Sequence, residues 1–261
     1  MTKQFVAALL LLGGCRVDPS KEEPPSPPPM GYVFEMKSIE QTLDRCTAGA
    51  KGCTYVRLDF PMITDAPNGV AVDAITEAVH AFITEPLKPD GAGDTAKELI
   101  EEFFTTYGDL RRRLASYKLP WFLERKAFVV NNAPDILCLS FSSRSFMGGA
   151  HGDATVMFVN FHPPTGERIE LADLFVNDYE AKLLAIAEAR FREVRAIEEG
   201  MSLVDAGFNF SESGAFTLPD NFAVEKDGLT FYYNAYDVAP YALGATELTL
   251  SYEELDGLLK E

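Results

Sequence analysis

Between Tyr32 and Phe161 the apolar residues change period twice, which confines the chain to a fold where helices and strands share a core. From Tyr32 to Asp44 and from Thr54 to Phe60 the pattern alternates, as in Tyr55-Val56-Arg57-Leu58-Asp59-Phe60, the mark of strands with one buried face. Val72, Ile75, Val79 and Phe82 then recur at helical spacing, with Asp65 or Asn68 placed to cap the first turn. A second helical stretch runs from about Thr95 to Tyr117, with Leu99, Phe103, Tyr107, Leu110 and Leu114 as its core stripe. Arg111-Arg112-Arg113 reads as its solvated end, because cations are favoured at a helix C-terminus.

From Trp121 the alternation returns over Trp121 to Asn131, Ile136 to Phe146 and Ala154 to Phe161, an antiparallel meander. Ile169 to Phe175 leads into an amphipathic helix near Asp178 to Ile197, whose apolar face carries Leu183, Ile186, Ala187, Phe191 and Val194. The Asp227-Gly228 pair between Phe222-Ala223-Val224-Glu225 and Leu229-Thr230-Phe231-Tyr232-Tyr233 is a strong hairpin signal. A strand over Glu247 to Leu250 and a short helix from Tyr252 close the chain. Strands and helices in separate runs give an α+β fold, an antiparallel sheet meander with packed helices.

The first residues carry an address. Lys3 supplies positive charge, Phe5 to Leu12 is an apolar run too short to span a bilayer, and Leu12-Gly13-Gly14-Cys15 has the pattern of a bacterial lipoprotein signal. Cleavage after residue 14 and lipidation of Cys15 are expected, followed by a proline-rich linker over 15–31. At about 3.1 Å per residue in polyproline geometry, such a linker holds the body some tens of Å from a membrane. Lipid is the expected membrane attachment, and Arg16 in place of an aspartate after Cys15 points to the outer membrane in a Gram-negative host. In that oxidising setting Cys46 and Cys53, either side of a small turn-forming segment, are expected to form a disulfide. Cys138, on a strand, reads as a buried thiol.

The net charge of −17 opposes binding to nucleic acid and favours a cationic partner. Gly-x-Ser-x-Gly, HExxH, P-loop and GxGxxG patterns are absent, and His151, Asp153 and His162 lack a further ligand of diagnostic spacing, so neither cofactor nor metal is expected. Gly148 and Gly149 suit a sharp corner, His151 is the titratable group beside it, and Phe231, Tyr232, Tyr233, Tyr236 and Tyr241 offer rings for a core or for a contact surface. Asp173, Asp178, Asp205, Asp237, Glu247 and Glu253 supply carboxylates from which a glycan-hydrolysing pair would have to come, but spacing selects none of them.

Two stretches carry a family resemblance: Met147-Gly148-Gly149-Ala150-His151-Gly152 with Phe161-His162-Pro163-Pro164-Thr165-Gly166 and Leu171-Ala172-Asp173-Leu174-Phe175, and then Phe231 through Tyr236-Asp237-Val238-Ala239-Pro240-Tyr241 to Gly244. Together they resemble the C-terminal domain of the RsiV/PdaC-like family, and the preceding segments resemble its N-terminal domain. The resemblance implies two closely associated subdomains, over 32–120 and 121–261, in an extracytoplasmic module found in a lysozyme-binding anti-sigma factor and in peptidoglycan deacetylases. It implies no catalytic centre of its own. The expected function is therefore a non-catalytic envelope lipoprotein that binds a lysozyme-like cationic protein or peptidoglycan through Gly148, Gly149, His151, Tyr236, Asp237 and Tyr241. An envelope enzyme acting on glycan through paired carboxylates is the alternative.

Overall fold

A computed structural model describes residues 31–67, 69–88 and 94–260. The leader over 1–14, the lipidation site Cys15, the linker up to residue 30 and the cap candidate Asn68 lie outside the described residues. The elements are β1 (Val33–Thr42), β2 (Tyr55–Asp65), α1 (Val72–Thr84), α2 (Ala96–Arg113), β3 (Phe122–Asn132), β4 (Leu137–Phe146), β5 (Asp153–Phe161), α3 (Leu171–Leu174), α4 (Glu180–Val194), β6 (Phe222–Val224), β7 (Gly228–Tyr233) and β8 (Thr246–Ser251). β1 to β5 form one sheet in sequence order, and β6-β7-β8 form a second, antiparallel sheet. None of the described helices is long and apolar enough to cross a membrane.

The fold is α+β, with one departure from an all-antiparallel meander: β2 and β3 run parallel, Tyr55 beside Phe122 and Leu58 beside Arg125. Two helices separate these strands in sequence. A parallel neighbour requires a crossover of that length, whereas a tight turn can only reverse the chain. The crossover lays α1 and α2 on one face, where Ile75, Val79, Leu99, Phe103 and Tyr107 meet Val56, Leu58, Leu123, Leu139 and Phe141 in the first core.

Local chemistry sets the element ends. Thr95 caps α2 by accepting from the Glu98 amide, while the Glu98 carboxylate accepts from the Thr95 hydroxyl and the Asp94 amide. The helix stops at Arg113 and not at Tyr117, so Leu114 is exposed. The chain turns there, and the Tyr117 hydroxyl accepts from the Trp121 indole N–H at 2.8 Å. α1 lacks the expected aspartate cap, because Asp65 ends β2 six residues before the N-cap Ala71 and accepts from the Ala66 amide. Its other end is capped by buried Arg125, whose Nη1 donates to the carbonyls of Phe82, Ile83 and Glu85.

A second core gathers α4 (Leu183, Ala187, Phe191) under Phe222, Leu229, Phe231, Tyr233, Leu248 and Leu250. The first core takes in residues on both sides of position 120, from Tyr32 to Phe161, and the buried residues of the second run from Phe175 to Leu258, with half-buried Ile136 packed against them. Beyond Tyr252 the chain makes turns in place of the expected helix. Leu255 and Leu258 enter the core, and the Leu258 carbonyl accepts from the Val176 amide, a long-range bond that a continuing helix would forgo.

The second sheet docks on the first through asparagine side chains. Buried Asn160 on β5 donates to the Phe222 carbonyl and accepts from the Val224 amide, 2.8 and 2.9 Å. Along the outer edge of β5, Asn234 accepts from the Val156 amide and donates to its carbonyl, while Asn221 accepts from the Phe158 amide. Side-chain amides thus stand in for a sixth strand, meeting backbone groups that would otherwise lack partners.

Candidate functional site

The open end of β4 and β5 is joined by a glycine turn. Gly148 and Gly149 have φ of 97° and 105°, which favours glycine at both positions. A side chain on Gly148 would also press the Tyr117 hydroxyl at 3.0 Å, whereas Gly149 faces open space. Gly152 passes so close to the Ser145 carbonyl that an added Cβ would lie 2.8 Å from it. The turn therefore projects His151 outward.

Across from it lies the loop after β7. Asn234, anchored to β5, starts a turn in which its amide donates to the Asp237 carboxylate at 2.7 Å. The turn holds Tyr236 at φ 76°, a conformation that costs a residue with a side chain about 1–3 kcal/mol unless its surroundings compel it. Pro240 then leads into a single 3-10 turn over Tyr241–Leu243, whose Leu243 carbonyl accepts from Arg195 at 2.8 Å.

The two loops meet in a cluster of three rings. Tyr241 stacks on His151 with centroids 4.1 Å apart and planes 16° apart, and Tyr236 lies 5.5 Å from Tyr241. His151 Nδ1 is 2.8 Å from the Gly152 carbonyl, which can only accept, so Nδ1 carries the proton. In the neutral ring Nε2 is then an acceptor, and the Tyr236 hydroxyl, 3.2 Å away, donates to it. The Tyr241 hydroxyl donates to the same Gly152 carbonyl at 3.3 Å. Tyr236 remains 61% exposed and Tyr241 38%, so the rings are oriented by one another but not covered.

The structure thus brings together His151, Tyr236 and Tyr241 from segments 85 residues apart, while Gly148 lies against Tyr117 and Trp121. Asp237 closes the turn that presents Tyr236, and Gly149 shapes the opposite one. Phe231 and Tyr233 are buried and Tyr232 is half-buried. His162 sits beyond the far end of nine-residue β5, bonded to Thr165, so the two histidines flank opposite ends of a strand roughly 27 Å long. Among the described residues no three histidine, cysteine, aspartate or glutamate side chains are grouped to hold a metal ion. Of the six candidate carboxylates, Asp173 bonds the Glu170 amide, Asp205 the Ser202 hydroxyl and Asp237 the Asn234 amide, all within local turns or caps.

Elsewhere Cys46 and Cys53 are joined as a disulfide with Cα atoms 5.6 Å apart, and Cys138 is a buried free thiol whose pKa burial pushes up to about 12. Sequence reasoning did not single out Asn160, Asn221, Asn234 and Arg195, which hold the loops in place. Asparagine beside a strand end signals a turn, and nothing local marks one that reaches another sheet.

Residues 172–253 match the family described as Protein of unknown function (DUF3298), a span that contains Tyr236, Asp237 and Tyr241 and stops short of the glycine turn. Over 140 residues, 51% of this chain, it is 26% identical to the peptidoglycan-N-acetylmuramic acid deacetylase PdaC of Bacillus subtilis (strain 168). The aligned region spans 28% of that longer protein. A solved DUF3298 family structure from Bacteroides fragilis NCTC 9343 superposes with a TM-score of 0.66 at 21% identity, covering 88% of this chain and 95% of that one. Another from Pseudomonas aeruginosa PAO1 gives 0.58 at 23%, covering 88% and 94%. At these identities the two likenesses establish the fold. The relationship to PdaC and the disulfide point to a location outside the cytoplasm.

Proposed function

We propose that this chain, a DUF3298 family protein with distant kinship to PdaC, is a non-catalytic binding module of the cell envelope, and that the His151–Tyr236–Tyr241 platform is its contact surface. The observation that carries this reading is the pairing of exposure with order. Three rings are held by stacking, by the bond from Tyr236 to His151 and by that from Tyr241 to the Gly152 carbonyl, yet Tyr236 keeps 61% of its surface in water. Rigid tyrosines lose little entropy on binding and present area with a hydroxyl, the composition of binding hot spots. The backbone conformation at Tyr236 fits the same view, since strain is retained where function rewards it.

The ligand is a cationic protein, with a lysozyme-like muramidase first, or cell-wall glycan. The net charge of −17 speeds encounter with a cation, and kinship to an enzyme named for a peptidoglycan substrate supports the same surroundings. Lipid on Cys15 would hold the module at the membrane. Calorimetric titration of the mature chain with lysozyme and, separately, with muropeptides tests the reading. Tyr241→Ala should weaken binding by about 1–2 kcal/mol. No heat with either ligand at low and at physiological salt sinks it.

A further inference from the structure

Between the turn that follows β1, the disulfide loop and the last turns of α2 lies a pocket of about 190 Å³. Asp44, Gly52 and Thr54 line it from one side and Tyr107, Arg111 and Lys118 from the other. It is smaller than the roughly 300–1,000 Å³ of drug-sized sites, so it suits a ligand of few atoms. Its lining is charged in both senses. Arg112 is paired with Asp109, but Arg111, Lys118 and Asp44 take part in no ion pair among the described residues, although all three line one small pocket. Arg111 is steadied instead by the Tyr107 ring, whose centroid is 5.7 Å from the guanidinium carbon. At the floor, the hydroxyl of buried Thr54 accepts from the Trp121 amide, while its own proton meets no acceptor among the described residues. A buried donor left so costs free energy until a ligand or water accepts from it.

Opposite charges that line one pocket without pairing are met together by a ligand that carries both complements. We propose that the pocket binds an aminoalkyl phosphate, of which phosphoethanolamine is the simplest, with the phosphate between Arg111 and Lys118 and the ammonium at Asp44. A phosphate monoester carries about −1.5 to −2 charges at pH 7 and three strong acceptor oxygens, which match two cations and the Thr54 hydroxyl better than the single charge of a carboxylate. Guanidinium bonds to phosphate are charge-assisted and can be bidentate. The ammonium supplies donors to the Asp44 carboxylate, which can only accept.

The test is calorimetric titration of the whole mature chain with phosphoethanolamine and with inorganic phosphate. One saturable phosphoethanolamine per chain is expected, bound at least about fivefold more tightly than phosphate. Arg111→Gln combined with Lys118→Met should weaken it at least about tenfold with an unchanged melting temperature, because both side chains are exposed. Asp44 holds φ 56°, which asparagine also tolerates, so Asp44→Asn keeps the turn and should bring the two ligands to equal affinity. Flotation of the Cys15→Ser chain with phosphatidylethanolamine vesicles tells the sources apart: co-flotation that phosphoethanolamine competes away marks a lipid headgroup, and its absence a free ligand. Heat that never saturates, or affinity untouched by the double variant, overturns the site. Equal affinity of the unaltered chain for phosphate overturns the ammonium half. The variants lie outside the His151–Tyr236–Tyr241 platform, whose binding of lysozyme or muropeptide is read separately, so either proposal can fail alone.

Discussion

Tyr233 and Tyr236 are three residues apart, and one is 2% exposed while the other is 61% exposed. The first belongs to a knot of rings around Phe191, where Phe208, Phe210, Phe216 and Tyr233 stand 5.0 to 5.7 Å from it in edge or tilted contact. The second belongs to the platform with His151 and Tyr241. Both clusters are ordered by ring contacts. In the knot the same contacts remove area from water and stabilise the fold, and burial drives the Tyr233 phenol to a raised pKa while its hydroxyl donates to the Thr217 carbonyl. On the platform they leave area in water, where the proposed partner would bind. Aromatic rings in like contact thus bury area or present it according to what covers them, and not according to their geometry alone.

The largest effect should come from the knot. Phe191→Ala removes its central ring and is expected to cost about 3–5 kcal/mol, measured by urea denaturation, with ligand affinity of the folded fraction unchanged. A loss below about 1 kcal/mol would dissolve the distinction between the clusters. Asn234→Ala acts on the seam between them, since it takes the partner from the Val156 amide and leaves the Val156 carbonyl with Asn221 as its remaining donor. It should cost about 1–3 kcal/mol of stability and also release the turn that presents Tyr236. Heteronuclear NMR of the variant checks both, through its melting and through the shifts of His151 and Tyr241.

Tyr236→Gly sharpens the contrast from the platform side. Glycine accepts the positive φ that tyrosine resists, so the melting temperature should hold or rise while ligand affinity falls by about 1–2 kcal/mol. Destabilisation with intact binding would assign Tyr236 to the fold. The smallest effect is in pH. The Arg190 guanidinium, bonded to the Glu254 carboxylate, and the amide and hydroxyl of Ser251 hold its pKa down to about 2. A carboxyl depressed on folding contributes stability fully above its ordinary value of about 4.3, and that contribution disappears as pH falls from there towards 2. Acid titration of stability should show this slope, and Glu254→Gln should flatten it by under about 1 kcal/mol, since the pair is partly solvated.

Much of the second core and part of the platform could be read in the chain. Phe191 and Leu183 follow the helical stripe, Phe231 and Tyr233 the strand alternation, and the Asp227-Gly228 hairpin falls between β6 and β7 as the turn chemistry requires. Leu114 broke its stripe because Tyr117 was drawn to Trp121, a contact that helix periodicity does not contain. The turns after Tyr252 replaced a helix because the Leu258 carbonyl had a partner in the Val176 amide.

What the sequence by itself determined was the kind of most elements, where most of them fall, and the residues from which a disulfide and an exposed cluster of rings would be drawn. These depend on period, turn chemistry and cysteine spacing, which are properties of neighbouring residues. Only the tertiary structure decided that β2 lies parallel to β3, that Asn221 and Asn234 finish the edge of β5, and that His151 meets Tyr236 and Tyr241. Each of those outcomes pairs groups distant in the chain. Backbone donors and acceptors are alike along every strand, so the choice among partners is made by which packing buries both apolar faces and leaves the fewest polar groups unpaired.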